Sequence, residues 1–224
     1  STNDRDKTFH CQNRELRSSK VIPTMAQLIL ASTSRYRLQL LGRLGLPLET
    51  QDPKVDERKH TGEEASALAT RLANAKASSV ANRADSTDAI IIGADQTAAL
   101  GGELLRKPGN PATALRQLTA CQGKVVSFHT ACTVIDQRSG RRLQGMDHTR
   151  VSFLTLDGRC LERYIELEQP FDCAGGFKAE GLGIALFDSI ESADPTALLG
   201  LPLIWLSRAL RDLAVDPFDP QADG

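Results

Sequence analysis

The feature that most constrains the fold is a short apolar run, Ala89-Ile90-Ile91-Ile92, that leads directly into Gly93-Ala94-Asp95-Gln96. A run rich in isoleucine that ends in glycine and a carboxylate is typical of a buried strand with an acid at its carboxyl end. In α/β proteins, ligands bind along that edge of the sheet. The pattern makes Asp95 a candidate catalytic residue; the alternative is an aspartate that only caps a turn.

The size and charge of the chain exclude several classes of protein. Its 224 residues are enough for a substantial core. With 27 basic and 28 acidic residues, it has no charge excess that would favour nucleic acid or an anionic membrane. The five cysteines form no C-x-x-C pair, which favours a reducing compartment over a zinc site. No apolar stretch approaches the ~20 residues that span a bilayer, so we expect a cytoplasmic protein.

Strand and helix patterns alternate at first and then pair as hairpins, which predicts a mixed α/β fold. Residues 1–25 lack periodicity and are expected to be a disordered extension. The predicted strands cover residues 27–31, 89–92, 97–100, 103–106, 125–135, 149–156 and 184–187. The predicted helices cover residues 35–44, 63–83, 111–121, 161–167 and 202–213. We expect a single domain over residues 26–216 and a tail over residues 217–224.

The predicted helix over residues 63–83 has a lysine on its apolar face. That face is formed by Leu68, Ala69, Leu72, Ala75 and Val80, and Lys76 falls near its middle. A lysine there must pair with a carboxylate, extend its ammonium to solvent, or face a cleft that holds an anion.

The start of the first helix is a candidate anion site. Ser32 and Ser34 lie where a strand turns into the helix, and Arg37 shares a face of that helix with Leu41 and Leu44. Unpaired N–H groups and the helix dipole favour an anion at such a place. A plain serine cap would explain Ser34, but it would leave Ser32 and Arg37 unexplained.

Further charged residues lie in predicted loops. Glu57 lies in a polar loop between the first two predicted helices, Lys107 follows a hairpin, and Lys178 and Glu180 lie two apart in a glycine-rich stretch that we expect to be extended. Each has an ordinary alternative as a solvated surface charge. Together with Asp95 and Lys76 they suit a polyphosphate ester and a divalent ion, because cations hold phosphates while carboxylates hold the metal and activate water.

These residues resemble the Maf family of nucleoside triphosphate pyrophosphatases over residues 28–213. Leu30-Ala31-Ser32-Thr33-Ser34 with Arg37 is similar to the opening serine–arginine motif of the family. The other motifs are matched in the family's order by Asp56-Glu57, Lys76, Gly93-Ala94-Asp95, Lys107-Pro108 and Gly200-Leu201-Pro202-Leu203.

Within the family the chain is most similar to the YceF-like branch, which acts on 7-methyl-GTP. Tyr36 stands where that branch has an aromatic residue, and Gln96 stands where the branch acting on dTTP and UTP has threonine. Residues 173–181 resemble its glycine-rich motif, with Lys178 and Glu180. Two departures are Arg35 in place of a usual proline and Tyr36 in place of tryptophan, which leave the base specificity less well defined than the reaction.

The resemblance implies a two-lobed α/β fold related to ITPases, in which a mixed twisted sheet with flanking helices forms a central nucleotide cleft. It also implies hydrolysis of a nucleoside triphosphate to the monophosphate and pyrophosphate, dependence on Mg²⁺ or Mn²⁺, and a homodimer. No nucleic acid or membrane partner is expected.

The same resemblance assigns roles to individual residues. Asp95 would be the general base, and Glu57 with Asp95 would hold the metal. The phosphates would be bound by Ser32, Ser34, Arg37, Lys76 and Lys107. Tyr36, Gln96 and Glu180 would select the base, because a methylated guanine carries a positive charge that an aromatic face and a carboxylate attract.

Two alternative functions remain open at this point. One is the same reaction on dTTP and UTP, or on a broader pool of modified nucleotides. The other is a non-catalytic nucleotide-binding module that regulates cell division through a partner. The carboxylates weigh against this last function, because a protein that only binds nucleotides does not need a water-activating acid.

Overall fold

The computed structural model describes residues 26–83 and 88–218. The expected extension over residues 1–25 lies outside these ranges, as do the last six residues of the expected tail. The described strands are β1 (Gln27–Leu30), β2 (Leu48–Thr50), β3 (Ala89–Leu100), β4 (Glu103–Leu105), β5 (Val125–Asp136), β6 (Arg142–Phe153) and β7 (Phe187–Glu191). The described α-helices are α1 (Arg35–Gly42), α2 (Ala65–Ala81), α3 (Pro111–Cys121), α4 (Gly158–Glu168) and α5 (Leu203–Arg211).

The seven strands form one mixed sheet in the order β2-β1-β3-β5-β6-β7, and β4 pairs with β3. β1 pairs in parallel with β2 and β3. The β3–β4, β3–β5, β5–β6 and β6–β7 pairs are antiparallel. The prediction of a mixed sheet with flanking helices is therefore confirmed.

One face of the sheet supports two separate cores, which gives the molecule its two lobes. Ile90 and Ile92 on β3 pack in a cluster with side chains of α1 and α5. Farther along the same strands, Ala98 and Phe128 pack in a second cluster with side chains of α3 and α4. The long strands β3 and β5 thus run through both lobes, because alternate residues of a strand share a face.

Helix α2 covers the opposite face of the sheet in close contact with β3. A Cβ atom at Gly93 would lie 2.4 Å from the backbone oxygen of Ala73 and 2.6 Å from the backbone nitrogen of Ala77. The glycine and the small residues of the helix therefore let the two backbones approach directly. This contact fixes the distance between α2 and the strand that carries Asp95.

The prediction that a strand ends at Ile92 was wrong. β3 continues to Leu100 because β5 pairs with it along its whole length, from Ile90–Asp136 to Leu100–Val126. The parallel neighbour β1 does end there, since its last pair joins Leu30 to Ile92. Asp95 therefore lies inside a strand, but just beyond the carboxyl end of the neighbouring parallel strand.

Three other predictions of secondary structure were wrong. The strand expected over residues 184–187 is a 3₁₀ helix, Leu182–Leu186, and β7 begins only at Phe187. Glu180 lies in a turn and not in an extended stretch with Lys178. β6 begins at Arg142 and not at residue 149, because its first half alternates polar and partly buried residues and carries no apolar signal.

The other predicted helices differ from the structure by up to three residues at either end, and the 111–121 helix is confirmed as predicted. In the described ranges, no helix is long and apolar enough to cross a membrane. Cys121, Cys132, Cys160 and Cys173 are free thiols.

Candidate active site

A cleft of about 970 Å³ opens where β1 ends beside the continuing strand β3. Its walls come from the start of α1, the loop after β2, one face of α2, the middle of β3, the segment before α3 and the turn after α4. The predicted site residues that line it are Ser32, Ser34, Tyr36, Arg37, Glu57, Lys76, Asp95, Gln96 and Lys107. Residues far apart in the sequence thus converge on one cavity.

Lys76 and Asp95 form a buried ion pair at the inner end of this cleft. The Nζ atom of Lys76 lies 2.6 Å from Oδ1 of Asp95 and 2.6 Å from Oε1 of Glu57. Lys76 is 5% exposed and Asp95 is 7% exposed. The lysine on the apolar face of the helix therefore pairs with carboxylates and faces the cleft, and its ammonium does not extend to solvent.

The alternation of β3 explains why Asp95 meets α2. Gly93, Asp95 and Thr97 share one face, and the Thr97 hydroxyl donates to the backbone oxygen of Ala65 at the start of α2. Gln96 points to the other face, where its Nε2 atom lies 2.9 Å from Thr130 Oγ1. That nitrogen also contacts the backbone oxygens of Ala197 and Leu198, so it joins β3 to the segment before α5.

The electrostatic environment gives the two carboxyl groups opposite pKa shifts. Burial raises the pKa of Asp95 above its ordinary value, although the charges of Lys76 and Arg37 act in the other direction. Burial also acts to raise the pKa of Glu57, but the hydrogen bond and charge of Lys76, with the charge of Lys107, hold it below its ordinary value. The inner carboxyl group is therefore the better proton acceptor of the two.

The start of α1 contributes hydroxyl groups and a guanidinium. Ser34 is the N-cap, and its Oγ atom accepts from the backbone N–H of Arg37. Ser32 is buried, and its Oγ atom accepts from the backbone N–H of Ser34 at 3.1 Å. Nε of Arg37 donates to the backbone oxygen of Gly200 at 2.9 Å. Ser34 therefore does cap α1, and the first turn of this helix places Arg37 against the cleft.

The outer end of the cleft carries exposed or partly exposed side chains. Tyr36 is partly exposed, and Lys107 is exposed. Burial raises the pKa of Tyr36, the charges of Cys173, Asp172 and Glu180 raise it further, and Arg35 opposes them.

Glu180 is the one predicted site residue that the described structure does not bring to the cleft wall. It is exposed in a turn. The neighbouring residues are held by α4: the backbone N–H of Lys178 donates to the Tyr164 hydroxyl, and the backbone N–H of Leu182 donates to Glu168. Its assignment to base selection stays a prediction, as does that of Gln96, whose amide nitrogen is already bound to protein oxygens.

Several charged residues that line the cleft were missed by sequence reasoning. They are Asp52, Lys54, Arg58, Lys59, Arg106 and Asp172. All of them lie in loops, where no periodicity distinguishes a functional charge from a solvated one. Lys54 has a positive φ of 48°, and its backbone N–H donates to Asp52, a local turn that no pattern marked.

The two inner carboxylates fit a divalent ion only together with a substrate. Oε1 of Glu57 and Oδ1 of Asp95 both lie beside the Nζ atom of Lys76. Mg²⁺ is usually bound by one or two carboxylates plus substrate phosphates. In the described residues, no group of three or more His, Cys, Asp or Glu side chains could hold a metal by itself. The donor set therefore suits an ion that arrives with a phosphate ester.

A sequence model of the family described as Maf-like protein matches residues 27–213. The chain belongs to the Maf family. A protein of Xanthomonas oryzae pv. oryzae named 7-methyl-GTP pyrophosphatase is 53% identical over 188 residues, which cover 84% of this chain and 97% of the relative. Proteins with the same name from Burkholderia lata and Alcanivorax borkumensis are 49% and 46% identical, over 83% and 82% of this chain and 89% and 92% of theirs.

Among solved structures, a HAM1 protein from Coxiella burnetii aligns with 84% of this Maf chain and 100% of its own, with a TM-score of 0.46 and 15% identity.

Proposed function

We propose that this Maf-family protein is a nucleoside triphosphate pyrophosphatase that hydrolyses 7-methyl-GTP to 7-methyl-GMP and pyrophosphate. The observation that carries the proposal is the pair of carboxylates, Glu57 and Asp95, at one buried ammonium inside a cleft lined by cations. The choice of substrate is supported by relatives that are 53% and 49% identical to this chain and are named 7-methyl-GTP pyrophosphatase.

Asp95 acts as the general base that accepts a proton from the water attacking the α-phosphorus. Its raised pKa makes the ionised carboxylate a stronger base than an ordinary aspartate. Lys76 keeps Asp95 and Glu57 together in the absence of substrate.

Glu57 and Asp95 are the residues that would hold a divalent ion, Mg²⁺ or Mn²⁺, together with the bound nucleotide. Such an ion would supply positive charge beside the leaving pyrophosphate. The low pKa of Glu57 keeps this ligand ionised at neutral pH.

The phosphates bind along the cleft, from its inner end to the exposed Lys107. Arg37, Lys76 and Lys107 supply positive charge from three separate elements, and Ser32 and Ser34 supply hydroxyl groups at the start of α1. Cations that converge in this way hold the reacting groups and stabilise the charge that develops on them.

The base lies toward Tyr36 at the outer end. An aromatic face attracts the positive charge of 7-methylguanine by about 0.5–2 kcal/mol. The negative charge of Glu180 acts on Tyr36 and helps to raise its pKa. The Oε1 atom of Gln96 accepts a hydrogen bond from the nucleobase.

We further propose that the protein acts as a homodimer in the cytoplasm. The homodimer rests on the family resemblance, and the location rests on the cysteines, which form no C-x-x-C pair and favour a reducing compartment. Size-exclusion chromatography with light scattering measures the oligomeric state of the protein. A monomer at micromolar concentration would contradict the proposed homodimer.

A substrate panel tests the proposed function. The purified chain is incubated with 7-methyl-GTP, GTP, dTTP, UTP and ATP, each with Mg²⁺ or Mn²⁺, and pyrophosphate release is measured. We expect the highest kcat/KM with 7-methyl-GTP. Faster turnover of dTTP or UTP would favour the alternative specificity, and tight nucleotide binding without hydrolysis would favour the non-catalytic regulator.

A further inference from the structure

Four carboxylates line the cleft, and three of them have clear roles or partners. Asp52 accepts the backbone N–H of Lys54, and Glu57 and Asp95 bind Lys76. The fourth, Asp172, accepts only a 3.5 Å hydrogen bond from the thiol of Cys173. In the part of the chain that the structure describes, no ion pair joins Asp172 to a basic side chain. Its negative charge is therefore available to a ligand.

The backbone around Asp172 is held in a fixed position. The backbone N–H of Cys173 donates to the backbone oxygen of Pro170, so Asp172 stands at the corner of a turn after α4. The backbone oxygen of Phe171 accepts from the N–H of Gly109 at 3.0 Å, which ties this turn to the loop that carries Lys107. The carboxylate is thus presented to the cleft by a segment that is bonded on two sides.

Asp172 belongs to the same end of the cleft as Tyr36. Both residues line the cavity, and after burial and Cys173 the charge of Asp172 is the next largest influence that raises the pKa of Tyr36, ahead of Glu180. Glu180 does not line the cavity. Asp172 is therefore better placed than Glu180 to act on a ligand that stacks on Tyr36.

The negative charge of Asp172 favours a ligand that has a positively charged group at this end of the cleft. The cations of the cleft suit a triphosphate, whereas an unneutralised carboxylate repels phosphate and attracts a positive group. Methylation at N7 makes guanine such a group, and GTP lacks that charge. A carboxylate beside the base end thus separates the two nucleotides by charge as well as by shape.

We propose that Asp172 is a specificity-determining residue whose carboxylate selects the positively charged base of 7-methyl-GTP over the neutral base of GTP. This inference rests on the proposed function. It assigns to the turn after α4 a role in substrate choice, and it makes Asp172 the carboxylate that works with Tyr36.

The test compares kcat/KM for 7-methyl-GTP, GTP and the neutral isostere 7-deaza-7-methyl-GTP in four proteins: wild type, Asp172→Asn, Asp172→Glu and Glu180→Gln. In the wild type we expect 7-methyl-GTP to exceed the isostere, since the two share the methyl group and differ in charge. In Asp172→Asn the ratio of kcat/KM for 7-methyl-GTP to that for GTP should fall by about two- to fivefold, because an exposed charge interaction contributes ~0.5–1 kcal/mol. Asp172→Glu should keep most of the ratio.

Each result decides one question. An unchanged ratio in Asp172→Asn, or a larger fall in Glu180→Gln than in Asp172→Asn, would overturn the role of Asp172. If Asp172→Asn lowers kcat/KM equally for 7-methyl-GTP and for the neutral isostere, the role of Asp172 is also overturned, because the effect would then not depend on the charge of the nucleobase. A wild-type protein that does not hydrolyse 7-methyl-GTP would refute the proposed function instead, so the two failures are distinguishable.

Discussion

The two ends of the cleft are built in different ways. The inner end, formed by Ser32, Lys76 and Asp95, is buried, with each residue 7% exposed or less. Lys76 and Asp95 belong to α2 and β3, whose backbones are in contact at Gly93. The outer end, formed by Tyr36 and Asp172, is partly or fully exposed and comes from a helix start and the turn after α4.

If the protein has the proposed function, this difference separates the reaction from the choice of nucleobase. A proton acceptor must be held within a fraction of an ångström, which a packed helix and strand provide. Loop residues can change without disturbing a core, so selectivity can vary while the reaction stays the same. We therefore expect changes at the inner end to abolish turnover or stability, and changes at the outer end to alter substrate preference.

The largest effect is expected for Asp95→Asn. Loss of the general base should lower kcat by about 10²–10⁴-fold, the usual contribution of such a group. Pyrophosphate release gives the rate, and circular dichroism with thermal unfolding shows whether the fold survives. A folded variant that retains more than a tenth of the activity would contradict the role of Asp95.

Lys76→Met should strongly reduce stability. Removing the ammonium leaves Asp95 buried without its partner, and breaking a buried pair in this way costs about 3 kcal/mol in the free energy of unfolding. Urea unfolding measures the loss. Arg163→Met on α4 is the matched control, because its ion pair with Glu166 is mostly exposed and should contribute less than about 1 kcal/mol. Equal losses in the two variants would contradict the importance of burial.

A smaller effect, on selectivity alone, is expected for Tyr36→Ala. The ratio of kcat/KM for 7-methyl-GTP to that for GTP should fall by about two- to thirtyfold, because the cation loses an aromatic face that contributes about 0.5–2 kcal/mol. Tyr36→Phe keeps the ring and should keep the ratio. An equal fall in kcat/KM for both nucleotides would contradict a role of Tyr36 in selectivity and would indicate a role in the reaction.

The smallest effect is a shift in the titration of Asp95. Burial raises its pKa, and the positive charge of Arg37 acts against that rise. Arg37→Gln should therefore raise the pKa further, so that the carboxyl group stays protonated to higher pH. Carbon-13 NMR of labelled aspartates in the ligand-free protein measures the shift, with the distant Arg163→Gln as control. A pKa that falls or does not move would show that Arg37 does not act on Asp95.

Sequence reasoning found the inner end of the cleft because its residues contradict regular patterns. Lys76 interrupts an apolar helical face, and Asp95 follows an isoleucine run, so each is visible from local periodicity. The same reasoning ended β3 at Ile92, because the pairing that extends the strand comes from the distant β5, which pairs Gly93 with Thr133 and Leu100 with Val126. Such pairing is a property of the whole sheet and leaves no local signal.

The outer end was harder to predict for a related reason. Asp172 lies in a turn whose position depends on a hydrogen bond between Phe171 and Gly109. Glu180 was expected in an extended stretch, but the 3₁₀ helix Leu182–Leu186 and the turn before it change its direction. Loop geometry of this kind is set by contacts with distant segments, which a single sequence does not reveal.

The segment Ala197–Gly200 links two elements that form the cleft, β3 and α1, although it does not line the cleft itself. Its first two backbone oxygens accept from Gln96, the neighbour of Asp95, and its last accepts from Arg37. One short peptide is thus a common anchor for β3, which carries the proposed general base, and for α1, which carries the proposed phosphate-binding residues. A displacement of this anchor would disturb proton transfer and nucleotide affinity at the same time. Surface engineering of the enzyme should therefore leave these four residues untouched.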